Sequence, residues 1–327
     1  MESNLRPMSL GEILDRTAQL YRSNFLLFAG ISVPYAGILL VLGLLQIGFT
    51  EILRRTHSVE QLQGLALITA GIIMPISFLI YGIVMAATSR AVAWVHLGRP
   101  VTIRGAYASI LPRRGRYLWL MTIIGLIVFT PMALLYYCYF GTMAYFVKGF
   151  GTNPAAQQAA MSDPQTMIIV GVASAIFILL LIPAAIYSTL MGLRYSLAIP
   201  SCVVENLKAR VAIRRSIDLA RGSWGRIFLL ALLIGVIKFV FVMVTQIFAL
   251  AAAFKHPGQL PGPGISALSQ VIGFFTNTLL GPIWAAGITL FYYDQRVRRE
   301  GYDIEWMMQA AGLTAPDAQQ DPGAAHE

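Results

Sequence analysis

Lys238 stands alone in the stretch IGVIKFVFVMVTQIF, a basic side chain inside an apolar run long enough to cross a bilayer. Counted inward from Arg226, it lies about 17 Å deep at 1.5 Å per residue. An ionised lysine near the bilayer centre costs about 2.5–3.5 kcal/mol, so it must face a cavity, meet polar partners or be neutral. No Asp or Glu occupies the central part of any apolar run. The chemistry open to it is to hold an anion, either a lipid phosphate or a small acid. A purely structural lysine, snorkelling part-way or satisfying carbonyls, is the alternative.

Depth counting sets Lys238 level with Pro282 in the last apolar run. Proline has no N–H to donate, so the Thr278 carbonyl is expected to be free there. Thr245 and Gln246 fall near the depth of Asn277 and read as interhelical hydrogen bonding worth about 0.6 kcal/mol, in preference to a conduction path. Prolines at 34, 75, 131, 183 and 282 put one mid-run break in every apolar run except the fifth. Transporters use such breaks to build sites, but proline is also simply common in membrane helices.

A second set of candidates is cationic and lies between the runs. Arg113, Arg114 and Arg116 form one group; Lys208, Arg210, Arg214, Arg215 and Arg221 form another. Near a bilayer such residues attract anionic headgroups at about 1 kcal/mol each, or they serve topology alone. Glu205 and Asp218 sit among them and are expected to be ion-paired. Nucleic acid is excluded as a partner because no recognition motif accompanies the charge. No phosphate-binding loop, nucleophile elbow or zinc helix occurs, and no cofactor is implied. Cys138 and Cys202 fall on opposite sides of the expected membrane, which excludes a disulfide between them.

The elements that position these residues follow from hydropathy. Of 327 residues, 57% are hydrophobic and 12% charged, against about 25% charged in soluble domains. Six spans are predicted, at about 25–49, 64–92, 117–141, 166–193, 226–254 and 265–293, in an all-α polytopic protein. Residues 1–312 form one membrane domain and 313–327, rich in Ala, Gln, Asp and Pro, a disordered tail.

Three amphipathic segments precede span pairs. Ser9 and Glu12 form a capping box before a stripe of Leu10, Ile13, Leu14, Thr17, Leu20 and Tyr21. Thr102 caps a stripe at Ile103, Ala106, Tyr107, Ile110 and Leu111. Ala209, Ala212, Ile213, Ser216, Ile217 and Ala220 line the third, before a turn at Gly222 and Gly225. A surface helix followed by a hairpin thus repeats three times, with a period of roughly 100 residues. The tail from Asp294 is expected to add one more short surface helix.

Nineteen Lys and Arg residues fall on the side of the termini and four on the other. The positive-inside rule therefore places both termini in the cytoplasm and the protein in a plasma membrane. Three stretches carry a resemblance: Met8 to Phe28, the IPSCVVEN segment with Lys208 to Phe228, and Phe291 to Trp306. They resemble a family of bacterial integral membrane proteins labelled glycerophosphoryl diester phosphodiesterase membrane domain. The resemblance implies the membrane fold and a bacterial inner membrane.

In namesake enzymes the phosphodiesterase activity resides in an attached barrel with His and Glu/Asp around a metal. Here His57, His96, His256 and His326 are scattered, and no room remains for a barrel of about 250 residues. The expected function is a non-enzymatic membrane module engaging anionic lipid or a membrane-protein partner through its basic surface helices. The alternative is a transporter or permease for a small anionic solute, with Lys238 as the site charge.

Overall fold

The computed structural model describes residues 7–53, 59–149, 162–255 and 262–301. The 313–327 tail and most of the connections within the span pairs lie outside the described residues. Among these residues every element is helical. Six helices are long and apolar enough to cross a membrane. They are α2 (Phe25–Leu53), α3 (Val59–His96), α5 (Arg114–Gly149), α6 (Pro164–Tyr195), α9 (Trp224–Lys255) and α10 (Pro263–Glu300). The remaining helices are shorter: α1 (Leu10–Ser23), α4 (Ile103–Ile110), α7 (Ala198–Val204) and α8 (Ala209–Ala220).

The short helices start where cap chemistry allows. Ser9 accepts from the Glu12 N–H, and the Glu12 carboxylate accepts from the Ser9 N–H at 2.6 Å, which satisfies donors that a first turn leaves unpaired. Thr102 accepts from the Gly105 N–H at the start of α4. Each then folds one face inward. Helix α1 buries Ile13, Thr17 and Leu20, while α8 buries Ala212, Ser216 and Leu219 and exposes Arg210 and Arg214. The chain leaves α8 through Gly222 at φ 75°, a left-handed conformation that costs a side-chain-bearing residue.

The long helices outrun the predicted spans, most of all at α10. Asp294 to Glu300 continue that helix without a break, so the short surface helix expected from Asp294 does not start there. No breaker precedes Gly301, which ends α10 in the left-handed conformation at φ 62°. Helix α7, the IPSCVV segment, went unrecognised because it is too short and too uniformly buried for a periodic stripe.

Helix α10 is central and packs on α2, α3 and α9, while α6 leans mainly on α5. Packing is uneven along the bundle. At the end that carries α1, α4, α7 and α8, here called the near end, α3 is buried from Val84 to Ser89 and α10 from Ala285 to Gln295. Toward the far end the helices turn large apolar side chains outward, among them Val41, Leu45, Ile72, Leu134, Phe239 and Val240. So much exposed hydrocarbon is stable only in lipid, where helices also satisfy their own backbone groups. The chain is a multi-pass membrane protein.

Candidate functional site

Proline sits inside five of the six long helices, α9 being the exception. A proline removes one backbone donor and crowds the turn before it, so carbonyls there seek new donors. Three of the five are met by hydroxyls from neighbouring helices, each time on the carbonyl three residues before the proline. Tyr107 of α4 donates to the Ile31 carbonyl at 2.6 Å, beside Pro34. Ser188 of α6 donates to Val128 at 2.8 Å, beside Pro131. Tyr21 of α1 donates to Leu279 at 2.6 Å, beside Pro282. Burial raises the pKa of the Tyr21 hydroxyl, which keeps the proton it donates. These prolines are therefore joints that neighbouring helices hold.

Two of the joints border a cavity of about 160 Å³ enclosed by α2, α3, α9 and α10. Pro34 lies between its lining residues Ser32 and Tyr35, and Pro282 follows its lining residue Gly281. Lys238 enters it from α9, where Ile227, Leu230 and Ile234 form the buried stripe that Lys238 continues. Gly287 lets α9 approach α10: a Cβ built there would already touch Ile234 and Leu230 at 3.4–3.5 Å.

Ser32, Val84, Met85, Thr88 and Ala285 make the near-end floor and are all at most 6% exposed. Tyr35, Tyr81, Lys238, Asn277 and Gly281 are partly exposed, and each lies farther from the near end on its own helix. The two tyrosine rings pack together with centroids 5.6 Å apart.

Lys238 makes no hydrogen bond or ion pair among the described residues, and neither do the hydroxyls of Ser32, Tyr35 and Tyr81. Ser32 is only 1% exposed, with its Oγ facing Gly281. Thr88 is satisfied by the Val84 carbonyl, and Asn277 donates to Gly273, leaving its Oδ1 free. The lining contains no carboxylate, imidazole or thiol. Among the described residues no three His, Cys, Asp or Glu side chains gather in one place.

Of the candidates named from the sequence, the structure brings Lys238 and Asn277 together. Thr278 and Pro282 lie at the right depth but outside the lining; Thr278 is buried with its Oγ1 unbonded. The side chains of Thr245 and Gln246 lie outside the described residues. Ser32, Tyr35 and Tyr81 were missed. Their one sequence signal is that hydroxyl-bearing residues recur at depths close to that of Lys238.

The cationic candidates divide in two. Arg113 and Arg116 both bond the Asn206 side chain, and Arg116 also donates to its carbonyl at 2.8 Å. Asn206 itself takes a left-handed conformation at φ 56°. Arg215 bridges Glu205 at 3.0 Å and Glu300 at 2.7 Å. Burial opposes the Arg215 charge, but its bonds to Glu300 and Glu205 outweigh that and raise its pKa. Glu205 is ion-paired as expected, and also accepts from Tyr292 at 2.6 Å. Asp218 is not: among the described residues its carboxylate has no ion pair, and its carbonyl accepts from Arg299. Arg114, Lys208, Arg210, Arg214 and Arg221 are exposed and have no partner among the described residues.

A second polar cluster clasps the N-terminal segment to α10. Asp294, fully buried, accepts from the Met8 N–H at 2.7 Å, from Arg298 Nε at 2.9 and 3.0 Å and from Arg226 at 3.1 Å. Both guanidiniums also donate to the Met8 carbonyl.

No protein family, no curated protein and no solved structure matches the chain.

Proposed function

We propose that this is a non-enzymatic membrane protein that binds an anionic ligand within the bilayer, with Lys238 supplying the charge. One observation carries the reading: an unpaired lysine faces a cavity whose other polar groups are also mostly unpartnered donors. A structural lysine would bond a carbonyl freed beside a proline, and Lys238 makes no such bond among the described residues. The lining is a binding set. It lacks the carboxylate, imidazole or thiol that acid–base or nucleophilic turnover needs. A permease for a small anionic solute and a module holding an anionic lipid both use such a site, and both fit the family resemblance in the sequence.

A second reading rests on a separate observation. The unpaired Arg210, Arg214 and Arg221, with Lys208 and Arg114, present free cations at the near end. This end is read as cytoplasmic from the charge balance of the loops, which would set these cations against anionic headgroups.

Thermal unfolding in detergent with added inorganic phosphate or phosphatidic acid tests the site. A ligand at 100 times its Kd stabilises by about 2.7 kcal/mol. The wild type should gain stability with at least one of the two, and Lys238→Leu should fold yet gain none. Equal gains in both proteins would remove Lys238 from the site.

A further inference from the structure

The cavity around Lys238 has a floor and a mouth at opposite ends of the same helices. Below the floor, α10 is buried at every residue from Ala285 to Gln295, and Thr289 donates to Ser89 of α3 at 3.0 Å. Nothing on that side offers a path for a charge. On the other side the mouth residues are partly exposed, and α10 continues toward the far end with Asn277, Gln270 and Ser266 at spacings of seven and four. These spacings keep the three on one helical face. Gly43 of α2 makes room along that face, since a Cβ there would lie 2.4 Å from Gln270 Cδ.

The donors bound the ligand's chemistry. An ammonium and three hydroxyls converge without a carboxylate to compete for them. That suits a group with several acceptor lone pairs and a negative charge, as a carboxylate or phosphate has. The volume bounds its size. At about 160 Å³, the cavity is smaller than the roughly 300 Å³ at which pockets for drug-sized ligands begin. A small anion, or the charged head of a larger ligand, fits inside, and the remainder of a larger ligand stays in the far half, among water or acyl chains.

Resting on the anion-site reading above, we infer that the cavity receives the oxyanion group of its ligand from the far end of the bundle, along the polar face of α10, with the near end sealed. A free anion and a lipid headgroup share this chemistry.

The test uses the full chain in membrane vesicles of both orientations, with exposed Cys138 changed to serine and buried Cys202 retained. Asn277→Cys reports at the mouth; Arg210→Cys, an exposed near-end position, reports which way the vesicles face. Gly281→Cys is a second mouth reporter, because its Cβ lies an ordinary 3.6 Å from Ser32 Oγ. Two membrane-impermeant thiol reagents are compared, the anionic 2-sulfonatoethyl and the cationic 2-(trimethylammonio)ethyl methanethiosulfonates.

The anionic reagent should modify the mouth cysteine about tenfold faster, equivalent to about 1.4 kcal/mol, and Lys238→Gln should abolish the preference. Modification should occur only in vesicles in which Arg210→Cys is protected. Modification from the Arg210 side overturns the far-end route while leaving the anion site standing. A preference that survives Lys238→Gln, or no preference, overturns the anion site itself. Slowing by external phosphate in phosphatidylcholine vesicles identifies a free anion as the ligand source. Slowing only when phosphatidic acid is in the bilayer identifies a headgroup. Protection by neither overturns the oxyanion assignment.

Discussion

Replacing Asp294 by alanine strips one carboxylate from a site where four neighbours depend on it. The Met8 N–H, Arg226, Arg298 and the Gln295 amide all point to its oxygens, at 2.7 to 3.2 Å. The carboxylate is 0% exposed, while the two guanidiniums retain 30% and 38% exposure. Breaking a buried ion pair by removing one partner costs about 3–5 kcal/mol, because the charge left behind is uncompensated. Here the charges left behind are partly hydrated and still hold the Met8 carbonyl, so the low end, about 3 kcal/mol, applies. At roughly 2 °C per kcal/mol for a chain of this size, the midpoint in detergent should fall by about 6 °C. Asp294→Asn, which keeps the shape and loses the charge, should fall by about half as much. Limited proteolysis before residue 10 should accelerate in both, since Met8 loses its anchor. An unchanged midpoint in Asp294→Ala would show that the clasp contributes nothing to stability, and the electrostatic account of the near end would be wrong.

The proline joints make a coupled prediction. Tyr107→Phe should cost about 1–2 kcal/mol by removing the hydroxyl that bonds the Ile31 carbonyl. In a Pro34→Ala background, where the ring no longer crowds the turn and the Tyr35 N–H can close on the Ile31 carbonyl, the same change should cost less than half of that; an additive double mutant would refute the pairing of hydroxyl and proline. At the turn out of α8, Gly222→Ala should lower stability by about 1–2 kcal/mol, because φ is 75° there, while an added Cβ would meet only Arg299 Nη2 at an ordinary 3.6 Å, which leaves conformation as the main cause. A thermal midpoint equal to wild type would count against that.

The six long helices and their order were legible in the sequence because an apolar run of 20 residues has few other uses. So were the caps at Ser9 and Thr102, where side chain and backbone partner lie three residues apart. Helix ends were less legible. Apolarity stops where the hydrocarbon stops, but a helix stops only at a breaker, and α10 meets none before Gly301. Depth counting found the right level for the partners of Lys238 and the wrong rotation. Gly281 and Asn277 face the cavity, while their neighbours Pro282 and Thr278 face elsewhere, because each step along a helix turns a side chain by about 100°. The clasp was not legible at all. Met8 and Asp294 are 286 residues apart, and nothing local to either announces the other.

The hydroxyls of Tyr21 and Tyr107 grip the backbone at the two proline turns that carry cavity walls, Leu279 on α10 and Ile31 on α2. One belongs to α1 and the other to α4, helices that lie outside the long bundle. The shape of the space around Lys238 is thus tied, by one bond to each wall, to how two peripheral helices are seated. Lever and load are separated by a single hydrogen bond in each case, so loosening α1 or α4 would be felt at the lysine before any long helix had to move as a whole.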